Sequence, residues 1–139
     1  MCNIMRKNDL QSLITLLDVF EVITITDDDE NEYVVLKSCG VTSIDNVDDK
    51  TAFEAVMNHT HIIDDVKKSN INDIEEFSNK LLNTYGNFLH YKYPSKHFVV
   101  YVTIDDSVTL RFHQKWSNEP WYYIVNEPVY DSTVLYFEC

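Results

Sequence analysis

HFVVYVTIDDSVTLRFHQ, residues His97–Gln114, has a hydrophobic period of two. Phe98, Val100, Val102 and Ile104 share one face of an extended segment, and Val108, Leu110 and Phe112 repeat the alternation. Asp105-Asp106-Ser107 between them consists of turn formers. Two such runs with so short a connection predict an antiparallel pair. Ser117-Asn118-Glu119-Pro120 turns the chain again, ahead of strands expected over Trp121–Val125 and Thr133–Phe137. The C-terminal third therefore reads as a β-meander.

Upstream of Tyr93-Pro94, a helix stop, the period becomes helical. Ile74, Phe77, Leu81, Leu82, Tyr85, Phe88 and Leu89 form one apolar stripe. Thr51-Ala52-Phe53-Glu54 reads as a capping box that opens a shorter helix through Phe53, Val56 and Met57. A first amphipathic helix carries Leu10, Leu13, Ile14, Leu17 and Phe20, with Asn8 and Gln11 as N-cap and reciprocal partner. The β-branched runs Glu21–Thr26 and Tyr33–Leu36 flank DDDENE and predict a hairpin, whose charged loop is not expected to be buried without neutralisation. Val41–Asp49 is polar and reads as irregular. The expected fold is a single α+β domain, an antiparallel sheet made of the N-terminal hairpin and the C-terminal meander, packed against three helices.

The charge is one-sided. Between Asp9 and Asp65 lie 14 acidic residues and two basic ones, Lys37 and Lys50, which accounts for the whole formal charge of −12 on this 139-residue chain. Such a field governs partner choice and encounter rate. It disfavours nucleic acid and anionic membranes, whose affinity comes from clustered Lys and Arg, and it favours a cationic protein. The 45% hydrophobic content, with 13% aromatic, is that of a globular chain able to bury a core. Cys2, Cys39 and Cys139 are odd in number and lack CxxC spacing, so no disulfide framework is expected. The most apolar run, Leu10–Ile25, is interrupted by Asp18 and Glu21, and no small-residue cleavage site follows Arg6 and Lys7. The chain reads as mature, soluble and cytoplasmic.

Three readings compete for Asp27-Asp28-Asp29-Glu30-Asn31-Glu32: a solvated loop tip, a cation site, and a landing surface for a basic protein. Calcium takes several oxygen ligands, but the run lacks the glycine-containing twelve-residue loop with its terminal Glu. Asp45, Asp48, Asp49, Asp64 and Asp65 also lie in polar connections, so several loops can add to one field. His59-Thr60-His61 converges on a metal only if extended, because residues two apart on a helix do not share a face. Following a helical pattern, the pair reads as a frayed helix end. No metal or other cofactor is expected. No nucleophile elbow frames a Ser, Cys or His, and Gly40 and Gly86, the only glycines, leave no phosphate-cradling loop. The chain is not expected to be an enzyme.

Of the 18 aromatic residues, 12 follow His90. Trp116, Trp121, Tyr122, Tyr123 and Tyr130 flank the turn in RFHQKWSNEPWYY, where strand alternation buries either Trp121 and Tyr123 or the Tyr122 face. An exposed remainder makes a protein-binding anchor. Arg111 and Lys115 are too few for a single-strand stacking platform. The candidate partner-binding set is therefore Asp27, Asp28, Asp29, Glu30, Glu32, Asp45, Asp48 and Asp49, together with Trp116, Glu119, Trp121 and Tyr122.

Val108–Val129, VTLRFHQKWSNEPWYYIVNEPV, resembles a strand–turn–strand signature of bacterial polymorphic-toxin and contact-dependent-inhibition immunity proteins. The resemblance rests on Arg111-Phe112-His113, Glu119-Pro120-Trp121 and Glu127-Pro128, within the C-terminal third. Such proteins are small, cytosolic and often acidic, share no single fold, and neutralise one cognate toxin by binding it. The resemblance implies stoichiometric inhibition and no catalytic residue; the acidity suits a basic nuclease toxin. Two rivals stand beside it. One is an acidic DNA mimic of phage or viral type that inhibits a host nucleic-acid enzyme. The other is a small enzyme with a pocket joining His113 or His97 to a perturbed acid.

Overall fold

The alternating stretch forms β4 (Phe98–Ile104) and β5 (Val108–Gln114), paired antiparallel from Phe98↔Gln114 to Ile104↔Val108. The computed structural model describes residues 7–125 and 132–139. It adds β3 (His59–Ile63) beside β5 and β6 (Thr133–Glu138) beside β4, in the sheet order β3-β5-β4-β6. Asp105 closes the β4–β5 turn by accepting from the Ser107 N–H and hydroxyl at 2.8 and 3.0 Å. Phe98, Val100, Val102, Leu110 and Phe112 join Leu81, Leu82, Tyr85 and Leu89 of α3 (Ile74–Lys92) in the main core. Asp73 caps α3 by accepting from Glu76 N at 2.9 Å, and Tyr93 ends it before Pro94. Phe137 packs so close to α3 that a Cβ on Gly86 would lie 2.2 Å from its ring.

β1 (Val22–Thr26) and β2 (Glu32–Leu36) form a two-stranded sheet of their own. Val22, Val34 and Leu36 face the main core. Ile25, Tyr33 and Val35 face the other way, into a second core with Val41, Ile44, Val47, Phe53 and Trp116. The irregular 41–49 segment is thus held by three aliphatic plugs. The architecture is α+β with two antiparallel sheets rather than the one expected.

A helix, α2 (Lys50–Met57), joins the sheets. Glu54 on it is completely buried and has no ion-pair partner among the described residues. Its Oε1 accepts from Gln114 N at 2.8 Å and Trp116 Nε1 at 2.7 Å; its Oε2 accepts from Val34 N at 2.9 Å and Gln114 Nε2 at 2.8 Å. Burial pushes this carboxyl above its ordinary range, while the N–H donors pull the other way. One turn later Asn58 accepts from Leu36 N at 2.9 Å and donates to Val34 O at 2.8 Å, and its own carbonyl accepts from Phe112 N. The open edge of β2 and the end of β5 beyond β3 thereby bond to the same side of one helix. Both ends of α2 are also served. Asp49 accepts from Ala52 N at 2.8 Å, Glu119 accepts from the Thr51 N–H and hydroxyl at 2.7 Å each, and Arg111 donates to Ala55 O. This places negative charge at the helix start and positive charge at its end, as the macrodipole favours.

The capping box accordingly does not form: Asp49 is the N-cap, and Glu54 turns into the protein. His59–Ile63 is a strand rather than a frayed helix end, because β5 offers it a ladder from His59↔Arg111 onward. Trp121–Val125 is not a strand. Its helical turn α4 (Tyr122–Val125) lets adjacent rings reach the same sheet face, with Tyr122 under Arg111 at 4.7 Å and Tyr123 edge-on to Tyr101 at 4.7 Å. Neighbours in a strand would point apart. The chain then returns as β6 to pair with β4, so the C-terminal third is not a simple meander. A further helix, α1 (Lys7–Asp18), already includes Asn8, which is therefore not its N-cap.

Glu54→Gln, which turns an NH2 group toward N–H donors, should lower stability by about 3 kcal/mol; an unchanged urea midpoint would show that the network does not hold the sheets. Gly86→Ala should cost about 1–3 kcal/mol through overpacking against Phe137, despite a helix-propensity gain of about 1 kcal/mol. A midpoint at or above wild type would mean that the ring moves aside.

Candidate functional site

Two loops at one end of the molecule carry exposed carboxylates. The β1–β2 connection folds around Asp27, which is buried. Its carboxylate accepts from Asp29 N and Asn31 N at 2.9 Å each, Asn31 Nδ2 at 3.0 Å and Tyr33 Oη at 2.8 Å. Burial pushes the carboxyl up, but the Asn31, Tyr33 and backbone donors prevail and hold it below 3.8. Burial and the bond to Asp27 push the Tyr33 phenol well above its ordinary value. Among the described residues this acid is thus buried without a counter-charge: hydrogen-bond donors take the role expected of a cation. Glu30, at φ 64°, adopts the left-handed conformation that completes the turn.

Asp28, Asp29 and Glu30 stay exposed. Asn46 clasps them to the 41–49 loop, accepting from Asp28 N at 3.2 Å and donating to Asp29 Oδ2 at 2.8 Å. Asp45 and Asp48 flank Asn46 and are exposed, and Asp49 follows at the α2 N-terminus. Six residues of the predicted set, Asp28, Asp29, Glu30, Asp45, Asp48 and Asp49, therefore share one end. Among the described residues none of them is within ion-pair distance of a lysine or arginine. Glu32, at the root of the hairpin, pairs with Lys96 at 3.6 Å.

The other predicted residues are engaged internally. Half-buried Trp116 donates to Glu54, leans on Tyr33 at 5.3 Å between centroids, and lies under Lys50. Glu119 caps α2; burial pushes its carboxyl up, but the Thr51 and Lys50 donors bring it below 4.5. Trp121 meets Tyr136 edge-on and lies under Lys115, and Tyr122 sits under Arg111; both are half-buried. Glu127, Pro128 and Tyr130 lie outside the described residues. Asp64 and Asp65 do not add to the hairpin field. β5 spans seven residues, about 20 Å of strand; Gln114 at its end reaches Glu32 O, while Val108 at its start pairs with Ile63, next to Asp64.

His59 and His61 share a face of β3 with ring centroids 6.0 Å apart, which meets the extended-backbone condition for convergence. The pair offers two donors; among the described residues no group of three or more His, Cys, Asp or Glu side chains could hold a metal ion. His113 is buried, its Nδ1 donating to Gln114 O at 2.7 Å and its Nε2 accepting from Tyr101 Oη at 3.0 Å and from Tyr122 N. Both ring nitrogens thus serve the fold. Among the described residues no helix is long and apolar enough to cross a membrane.

Sequence reasoning missed Glu54, Asn58 and Asn46. Thr51, Glu54 and Asn58 lie at i, i+3 and i+7, a polar stripe along α2 that could have shown which face meets backbone edges. Nothing in the local pattern marks Asn46.

Fold and site together define an acidic α+β protein that presents two clasped acidic loops. The chain belongs to the Uncharacterized protein PM0498 family, whose model matches residues 1–139. No curated protein and no solved structure matches it.

Burial holds the His113 imidazole below the ordinary 6.5, against the opposing influence of the Gln114 carbonyl, Glu119 and Asp49. The unfolded chain therefore binds this proton first, and stability should fall as pH drops through about 6.5. Asp27 and Glu119, both lowered in the fold, contribute stability above their unfolded values of 3.8 and 4.5 and lose it on further acidification. Urea midpoints across this range should show two declines, the upper one absent from His113→Gln. Persistence of the upper decline in that variant would assign it elsewhere.

Proposed function

We propose that this chain neutralises a cationic protein, a toxin with the electropositive cleft of a nuclease, by direct stoichiometric binding as an immunity protein does. The Asn46 clasp carries the reading, because it ties the loop of Asp28, Asp29 and Glu30 to that of Asp45 and Asp48, and among the described residues none of these carboxylates has a lysine or arginine counter-ion. Carboxylates on ordered loops lose little freedom when a partner docks. A nuclease must attract phosphate, so an acidic protein exploits the same field that draws its substrate. Steering of this kind raises association by about 10- to 1000-fold at low salt. The immunity-protein resemblance around Arg111-Phe112-His113 and Glu119-Pro120-Trp121 agrees with this reading.

Affinity capture from the native lysate, followed by co-purification with the neighbouring gene product, should yield a 1:1 complex with a basic protein. With that pair, the Asp28→Lys/Asp29→Lys/Glu30→Lys/Asp48→Lys variant should associate about 10-fold more slowly at low salt and respond less to added salt. Unchanged on-rates in stopped-flow mixing would remove the acidic loops from the encounter.

A further inference from the structure

His59 and His61 meet on β3 the condition that a metal pair requires, an extended backbone that points both side chains the same way. Both rings are exposed, with centroids 6.0 Å apart and planes at 83°. Each is also held by the nitrogen that a metal would leave unused. His59 Nδ1 donates to Val56 O, near the end of α2, at 2.7 Å. A carbonyl only accepts, so Nδ1 carries the proton and Nε2 keeps its lone pair. His61 Nδ1 lies 3.0 Å from Thr109 Oγ1 and 3.3 Å from Ser107 Oγ. The Ser107 hydroxyl donates its one proton to Asp105 Oδ1 at 3.0 Å, so toward His61 its oxygen is an acceptor. That favours the same tautomer, with Nε2 free. An imidazole whose second nitrogen donates to a carbonyl, or to a group backed by a carboxylate, is the usual arrangement behind a bound metal.

We propose that His59 and His61 chelate a divalent transition-metal ion of the copper, nickel and zinc group through their two Nε2 atoms. Imidazole suits these ions, whereas magnesium and calcium prefer oxygen donors. A metal about 2.1 Å from both Nε2 atoms at a tetrahedral angle brings the centroids to about 5 Å, so the exposed rings need close by only about 1 Å. Among the described residues no third His, Cys, Asp or Glu completes the set. The remaining coordination positions are left to water or to a donor from another molecule.

The surrounding charges favour a dication. Asp9, Asp64 and Asp65 line a cleft that His61 also lines, against Lys68, and Asp105 stands behind Ser107. α1 turns Ser12 and Thr15 to that cleft, while Leu10, Leu13, Ile14 and Leu17 are exposed. Arg111, across the strands from His59, is the opposing cation; its guanidinium is engaged by Ala55 O and the Tyr122 ring. The proposal does not depend on the cationic-partner reading.

The test titrates the metal-free 139-residue chain with Cu²⁺, Ni²⁺, Co²⁺ and Zn²⁺ salts. Cu²⁺ should broaden amide resonances centred on residues 59–61, and Zn²⁺ should shift the ring resonances of His59 and His61 together. Cu²⁺ should bind more tightly than Ni²⁺, and Ni²⁺ more tightly than Co²⁺. His59→Asn and His61→Asn should each weaken Cu²⁺ binding about 10-fold or more, because either change breaks the chelate. His90→Asn, at an exposed histidine of α3, should leave the affinity within about 2-fold. Excess Mg²⁺ should leave Cu²⁺ in place. The wild-type resonance map locates the metal independently of how the variants fold. Broadening centred on Asp28, Asp29, Asp45 and Asp48 or on Asp64 and Asp65 would overturn the proposal. So would release of the metal by Mg²⁺, or full-strength binding by either folded histidine variant.

Discussion

The arrangement of the two sheets depends on a buried carboxylate that has no counter-ion among the described residues. A charge moved out of water is costly unless donors replace its hydration. Glu54 receives those donors from β2, from β5 and from the Trp116 indole. The same contacts supply partners for backbone N–H groups at sheet edges that would otherwise be orphaned. Asn58 repeats the arrangement one turn along, with both ends of its amide on β2. Side chains of α2 thus replace a missing strand between the hairpin and the larger sheet. Their positions set where the hairpin tip lies and where the α2 N-terminus meets Glu119.

That placement divides the molecule's electrostatics in two. At the hairpin end, apolar groups of the 41–49 loop are turned inward and the carboxylates outward, giving an ordered polar surface. At the other end of β5, Asp64 and Asp65 line a cleft against the polar side of α1. Charges held by ordered loops mainly govern how fast a partner arrives, whereas desolvated aliphatic contacts govern how long it stays.

The second face of the larger sheet shows how polar groups can be buried usefully. Tyr101 and His113 bond to each other while Tyr123 packs edge-on to Tyr101. Arg111 lies over Tyr122 and also bonds to the end of α2. Aromatic density after His90 is thus spent largely on the fold among the described residues, and Trp116 in particular is a donor to Glu54 as much as a packing group.

Much of the fold was legible without coordinates, because burial on one face imposes its period on a chain. The alternation in Phe98–Ile104 and Val108–Gln114, the apolar stripe of Ile74–Lys92, and the β-branched runs around DDDENE each specify their own local structure. The acidity of Asp9–Asp65 was equally plain, since charge needs no fold to be counted. Tertiary structure alone decided the inward turn of Glu54, the recruitment of His59–Ile63 into the sheet, the helical turn at Tyr122–Val125, and the outward aspect of Leu10, Leu13, Ile14 and Leu17. It also decided which carboxylates became neighbours. Each of these outcomes depends on a group far away in the chain, such as the open edge of β5 or the Asn46 amide, and a local period carries no record of what it will meet.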